Sequence, residues 1–271
     1  MVGPSPIFPY NTGIAMFECE TITASAEGAV ARLTLNKPGR LNALDEEMLL
    51  AVEECFCEWE RREVSVVVLA GAGGRAFCVG ADIECLSRLD PAGMERWEAL
   101  GNRVLRRIEQ SPLVSVACIG GYALGGGLTL ALACDFRIAG RTAVLGQPEI
   151  ELGWIPGWGG VARLSRLVGA ARAKDLCMTG RRVAATAADA LGLANRVVSD
   201  EALEKETMHY AEALAARSPA ALRTIKALAN DAPAGEAAVR LDAFANARLL
   251  SDERGQAAIR EFLERKQHGT G

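Results

Sequence analysis

The stretch "GYALGGGLTLALACDFRIAG", residues 121–140, sets three consecutive glycines, Gly125 to Gly127, directly before an apolar run. Glycine lacks a Cβ, so its backbone N–H can be approached more closely than that of any other residue. Three of them at a helix start leave N–H groups exposed at the positive end of the helix dipole. Such a place can hold a phosphate, a carboxylate or the oxyanion that develops on a reacting carbonyl. Close packing of helix against strand explains the same glycines about as well. The phosphate reading is the weaker one, because the chain has no Gly-Lys-Ser/Thr of a P-loop and no GxGxxG after its first strand.

Upstream of this stretch the chain alternates strands and helices. "GAVARLTLN", 28–36, has the period-two pattern of a half-buried strand and runs into the turn signal "NKPGR". "LDEEMLLAVEECFCEWERR", 44–62, places apolar residues at helical spacing with acids near its start, which suits a helix N-terminus. "VSVVVLAGAGG", 64–74, is a β-branched run of the kind buried on both faces of a parallel sheet, so strand, helix and strand make one right-handed unit. A second glycine-bearing turn, "GRAFCVGADI" at 74–83, follows that strand and leaves N–H groups free near Gly80 and Ala81. Two such turns converging on one point would offer two backbone donors to one oxygen, worth a few kcal/mol each in a transition state.

Downstream, short strands, a Gly/Pro/Trp-rich loop and helices follow to about residue 200, and the pattern from Glu201 on is almost purely helical with charged faces. The expected fold class is therefore α/β, with a loose arm at 1–16, a core at 17–200 and a helical C-terminal region at 201–271. An amphipathic helical appendage needs a partner surface for its apolar face, so an oligomer is expected.

Composition narrows the function classes. The 271 residues are half apolar, enough for a sizeable core, and 34 acidic against 30 basic side chains give a net charge of -4. No basic face for nucleic acid is expected. The N-terminus lacks the basic and apolar regions of a signal peptide, and no segment reaches the roughly 18 uncharged apolar residues of a membrane span. The eight cysteines show no metal-type spacing and read as reduced, buried thiols of a cytoplasmic protein. His209 and His268 fall in the tail, where solvated surface is the default, and no metal site is expected.

Five segments, "LTLNKPGRLNAL" (33–44), "VVVLAGAGGRAFCVGADI" (66–83), "GYALGGGLTLALACDFRIA" (121–139), "LGQPEIELGWIPGWGG" (145–160) and "EFLERKQ" (261–267), resemble, in order and spacing, the crotonase superfamily of enoyl-CoA hydratases and isomerases. The resemblance covers essentially everything after the first two dozen residues. It implies a spiral of ββα turns, an acyl-CoA thioester substrate with no further cofactor, and homotrimers often paired into hexamers. The family's oxyanion-hole donors map onto the N–H groups of Ala81 and Gly126. Its CoA contacts map onto Arg40 and Leu41, with Ala81, Ile83 and Gly126 beside them and Arg265 in the tail.

One departure matters. Typical hydratases carry one glutamate two residues after the glycine triplet and another in "GQPE", so that two carboxylates flank the reacting carbons. This chain has Thr129 at the first position and Glu149 at the second. Two carboxylates suit addition of water, one orienting it while the other delivers a proton, whereas a single carboxylate can carry a proton between two carbons. Isomerisation is slightly preferred on this ground. Hydration with the Thr129 hydroxyl holding water, decarboxylation with reprotonation, and a catalytically weak binding subunit stay open as alternatives. Thr129 as a core residue with a satisfied hydroxyl is the plain reading beside these. Apolar neighbours of Glu149 should raise its pKa by desolvation, Trp154 and Trp158 are candidates for an acyl-pocket wall, and Asp82 and Asp135 read as caps.

Overall fold

The computed structural model describes residues 17, 18 and 20–231, with Ala257 and Glu264. The 1–16 arm and most of the tail beyond 231, including Arg265 and His268, lie outside the described residues.

The chain opens with β1 (Phe17–Glu18), β2 (Ile22–Glu27) and β3 (Val30–Leu35), the last two joined by a tight turn at Gly28, whose φ of +56° suits a hairpin. Helix α1 (Glu46–Trp59) follows, capped by Asp45, whose carboxylate accepts from Met48 N at 3.0 Å. Strand β4 (Val66–Gly71) then leads through β5 (Ala76–Cys78) to α2 (Ile83–Leu86) and α3 (Pro91–Gln110). Strand β6 (Val114–Ile119) leads through β7 (Tyr122–Leu124) to α4 (Gly126–Ala133). Strand β8 (Phe136–Gly140) leads through β9 (Val144–Gly146) and a 3-10 turn, Pro148–Leu152, to α5 (Gly160–Val168) and α6 (Ala170–Thr179). After β10 (Val183–Ala184), α7 (Ala185–Leu191) and β11 (Arg196–Val198) come α8 (Leu203–Ala215) and α9 (Pro219–Asp231).

Three times in succession, then, a long strand, a short strand and helix follow one another, and this repeat is the ββα spiral. The long strands form one sheet, in the order β1-β2-β3-β4-β6-β8-β11 and parallel from β3 onward; the short ones form a second, β10-β9-β7-β5. Register pairs Val66 with Val114 and Val116 with Phe136, which stacks the C-terminal ends of β4, β6 and β8 side by side. Each long strand therefore delivers its following turn to the same edge. Strand β6 is buried along its whole length and β4 along all but Gly71, as the β-branched runs require when both faces are covered.

Compactness divides the chain between Leu214 and Ala215. The first unit thus continues past the 200/201 boundary expected from the sequence and takes in nearly all of α8. Among the described residues no helix is long and apolar enough to cross a membrane.

Candidate active site

The three glycines of the 121–140 stretch serve three different contacts. Gly125 has φ +54°, and a Cβ on it would meet Glu149 Oε1 at 3.1 Å. Gly126 begins α4, so its N–H has no intrahelical partner. A Cβ on Gly127 would collide with the carbonyl of Cys78 on β5. Helix α4 is apolar all round because it is the buried axis of this region, with every residue from Gly127 to Ala133 inside. Its far end is held by the buried Arg137, which donates to Cys134 O at 2.8 Å and to Leu193 O at 2.8 Å.

The second glycine turn meets the first. Leu44 N donates to Gly80 O at 2.7 Å and Asp82 N donates to Leu44 O at 2.8 Å. Backbone groups alternate sides along an extended segment, so the N–H of Ala81, between them, points to the opposite edge. On that edge lies Gly126, for Gly80 (φ +94°) packs so close that a Cβ would stand 2.8 Å from Gly126 N. Ala81 and Gly126 both line a single cavity of about 1150 Å³.

Glu149 stands in the same cavity wall, on the first turn of the 3-10 segment that Gly153 closes at φ +73°. Burial pushes its carboxyl up to about 7, opposed only by its own backbone N–H. The other described acids lining the cavity are engaged. Asp82 binds Arg40 Nη1 at 2.6 Å, Glu84 approaches Arg40 Nη2 at 3.2 Å, and Glu98 accepts from Trp158 N at 3.0 Å. Burial alone would raise Asp82, but the Arg40 guanidinium and the N–H groups of Cys85 and Glu84 outweigh it and hold the carboxyl below its ordinary value. Asp82 caps α2 through Glu84 N at 3.0 Å, and Asp135 accepts from Ser115 N at 2.7 Å.

The remaining candidate positions separate. Arg40 and Ile83 line the cavity mouth, both exposed; Leu41, half-buried with φ +53°, is not among the described lining residues. Thr129 is fully buried and also absent from that lining, three residues further along α4 than the half-buried Gly126. Its hydroxyl lies 3.3 Å from Gly125 O and 3.1 Å from the Gln147 amide. Trp154 and Trp158 both line the cavity, and Trp158, 2% exposed, packs against Trp97 of α3 at 5.2 Å.

Two residues that the sequence reading passed over hold the site together. Asn42, fully buried, donates to Ala72 O at 3.0 Å and Ala76 O at 2.8 Å and accepts from Lys37 N at 3.0 Å, which pins the Arg40 loop to the turn after β4. Gln147, fully buried, lies between Thr129 and Glu149. Gln147 directly follows the apolar strand β9, which was its signal, whereas Asn42 lies in the loop after a 3-10 turn, Pro38–Arg40, and carried none. Among the described residues no three His, Cys, Asp or Glu side chains gather as metal ligands would.

Backbone N–H groups of two glycine-bearing turns and a buried carboxyl pushed up to about 7 line one pocket with indole walls, an arrangement that could polarise a carbonyl and move a proton next to it. Residues 25–269 match the pattern of the enoyl-CoA hydratase/isomerase family. The chain is 35% identical to a short-chain-enoyl-CoA hydratase of Clostridium acetobutylicum, over 92% of this chain and 97% of that one. It is also 35% identical to a crotonyl-CoA hydratase of Syntrophomonas wolfei, over 92% and 96%. The crystal structure of an enoyl-CoA hydratase from Bacillus anthracis superposes with a TM-score of 0.87 at 32% identity, covering 90% of this chain and 96% of that one. The chain belongs to the enoyl-CoA hydratase/isomerase family, within the crotonase superfamily.

Proposed function

We propose that the protein acts on an acyl-CoA thioester, with the N–H groups of Ala81 and Gly126 receiving the thioester oxygen and Glu149 carrying the proton. Removal of a C2 proton by Glu149 leaves an enolate whose charge rests on that oxygen. Return of the proton to C4 moves a 3,4 double bond into conjugation at C2–C3. The observation that carries this reading is the setting of Glu149: among the described carboxylates of the cavity wall it is the one that no cation and no backbone N–H of another residue engages, its neighbour being the neutral amide of Gln147. A carboxyl near 7 is also matched to both taking and giving a proton at neutral pH.

A second reading, hydration of a 2-enoyl thioester, is favoured by the names of the similar hydratases. The burial of Thr129, which is not among the residues lining the cavity, supports a form of that reaction in which water is held by Glu149 itself rather than by the threonine. The Arg40 rim would face the CoA moiety. Assembly as a trimer or hexamer in the cytoplasm completes the proposal, supported by exposed apolar side chains such as Met178 at 69%.

Turnover in heavy water tests it. Isomerisation of a 3-enoyl-CoA gives a conjugated product in which C4 carries the shuttled substrate proton, with deuterium there only to the extent that Glu149 exchanges with solvent before returning it. Hydration of a 2-enoyl-CoA adds heavy water and places deuterium at C2 of a 3-hydroxyacyl product. Mass spectrometry of a 2-enoyl, 3-enoyl, dienoyl and malonyl-type panel reads both, and no conversion of any of them would defeat the proposal.

A further inference from the structure

Among the described residues lining the cavity, Trp158 is the one non-glycine set on left-handed backbone, at φ +52°. A side chain of this size adopts that conformation only under strain, so the surrounding structure has to hold it there. It does so on both sides of the residue. The Trp158 N–H donates to Glu98 of α3 at 3.0 Å, and the Trp158 carbonyl accepts from Arg163 Nη1 of α5. Arg163 is fastened in turn to Glu109 of α3, Nε to Oε1 and Nη2 to Oε2, each at 2.7 Å.

Two glycines clear the space that the indole fills. A Cβ on Gly101 of α3 would collide with the ring nitrogen, and one on Gly126 would stand 2.7 Å from Cζ3. The ring therefore reaches from α3, where it packs on Trp97, to the first residue of α4. Its Nε1–H is buried and has no hydrogen-bond partner among the described residues. A buried donor left unmade is unfavourable, so a polar contact is not what the indole supplies. Strain and an orphaned donor both weigh against tryptophan at this place. What it contributes is bulk, set against the N-terminus of α4.

We propose that Trp158 is the specificity-determining residue of the cavity, its indole closing the acyl end so that the site takes short-chain acyl-CoA thioesters and rejects longer ones. The inference rests on the acyl-CoA reading of the site given above. With the thioester oxygen at the Gly126 N–H and CoA toward the Arg40 rim, the carbons beyond the reacting pair run toward the ring edge beside Gly126. An indole 2% exposed, wedged between Gly101, Trp97 and Gly126, has no room to swing aside for them. A longer chain would have to leave over the exposed Leu152 and Ile155, which line the same cavity.

The experiment measures calorimetric affinities of two unreactive saturated thioesters, butyryl-CoA and octanoyl-CoA, for the full-length wild type, Trp158→Phe and Trp158→Ala. Burial of apolar surface alone makes the longer chain bind more tightly. A closed acyl end reverses that order, so wild type should prefer butyryl-CoA by about tenfold or more. The preference should narrow in Trp158→Phe and invert in Trp158→Ala. Octanoyl-CoA bound as tightly as butyryl-CoA by wild type would overturn the proposal and put the chain over Leu152 and Ile155. An unmoved ratio in Trp158→Ala would overturn it as well. If that variant does not fold, an unmoved ratio in Trp158→Phe has the same force. Binding of neither thioester would sink the acyl-CoA reading and this inference with it, whereas binding of both without a length preference would sink this inference alone.

Discussion

Gly80 and Gly126 meet so closely that a Cβ on Gly80 would stand 2.8 Å from the Gly126 nitrogen. That approach packs together the two turns whose N–H groups receive the thioester oxygen in the proposed function. Gly80→Ala adds the missing carbon at a φ of +94°, which an alanine adopts only under strain, and pushes the Gly126 N–H away from its partner at Ala81. We expect a loss of about 10²- to 10³-fold in kcat, as for removal of one oxyanion donor, with thioester binding weakened far less. Steady-state kinetics separate the two. An unchanged kcat would mean that Gly126 N–H does not receive the thioester oxygen.

Glu149→Gln keeps the shape of the side chain and deletes its titration. Activity should fall by about 10²- to 10⁴-fold, the usual contribution of a general acid–base group. The same change should stabilise the resting protein in a pH-dependent way. The folded carboxyl lies near 7 against an ordinary 4.5, so the native state binds more protons than the unfolded chain between those values. The stability that Glu149 contributes is therefore full below about 4.5 and is lost as the pH rises through 7. Thermal melts should show Glu149→Gln ahead of wild type by up to about 2 kcal/mol at pH 8, after allowance for partial exposure, and level with it near pH 4.5. A gap that widens on acidification would contradict the burial of this carboxyl.

Arg40 is held over the cavity mouth by Asp82 at 2.6 Å while more than half of its side chain stays exposed. If it faces the CoA moiety, Arg40→Met should raise KM for the thioester roughly tenfold, within the range of a charge-assisted contact, and leave kcat within about twofold. The effect should shrink at high salt. A fall in kcat with KM unchanged would place Arg40 in the chemistry instead.

How much of this was legible in the sequence depends on the kind of signal. The β-branched run at Val66–Val68 and the alternation at Val30–Leu35 announce strands because periodicity follows from burial, and the parallel register of β3, β4 and β6 agrees with them. The ordered glycine motifs pointed to one site because each requires a bare backbone for a close approach. Thr129 was harder. Its place two residues after Gly127 was plain, but whether its hydroxyl faces cavity or core depends on the rotation of α4, and a helix that is apolar on every side carries no moment to fix that rotation. Gln147 and Asn42 were missed for a related reason: a buried amide is recognised by its partners, and those are backbone carbonyls and side chains distant in sequence.

Because the Thr129 hydroxyl makes its contacts inside the protein, Thr129→Ala should lower turnover only by about five- to tenfold, the equivalent of roughly 1 to 1.4 kcal/mol and one lost hydrogen bond. A residue holding the attacking water would cost far more. A loss of a thousandfold, confined to hydration and without a change in melting temperature, would move Thr129 into the reacting site.

The central claim is that one carboxylate carries the proton between two carbons of an acyl-CoA. The most direct test compares kcat/KM for converting a 3-enoyl-CoA into its conjugated isomer with kcat/KM for hydrating crotonyl-CoA, in wild type and Glu149→Gln side by side. The account predicts that wild type isomerises faster than it hydrates and that the variant loses isomerisation by at least about a hundredfold. Hydration that outpaces isomerisation in wild type, or isomerisation that survives in Glu149→Gln, would contradict it.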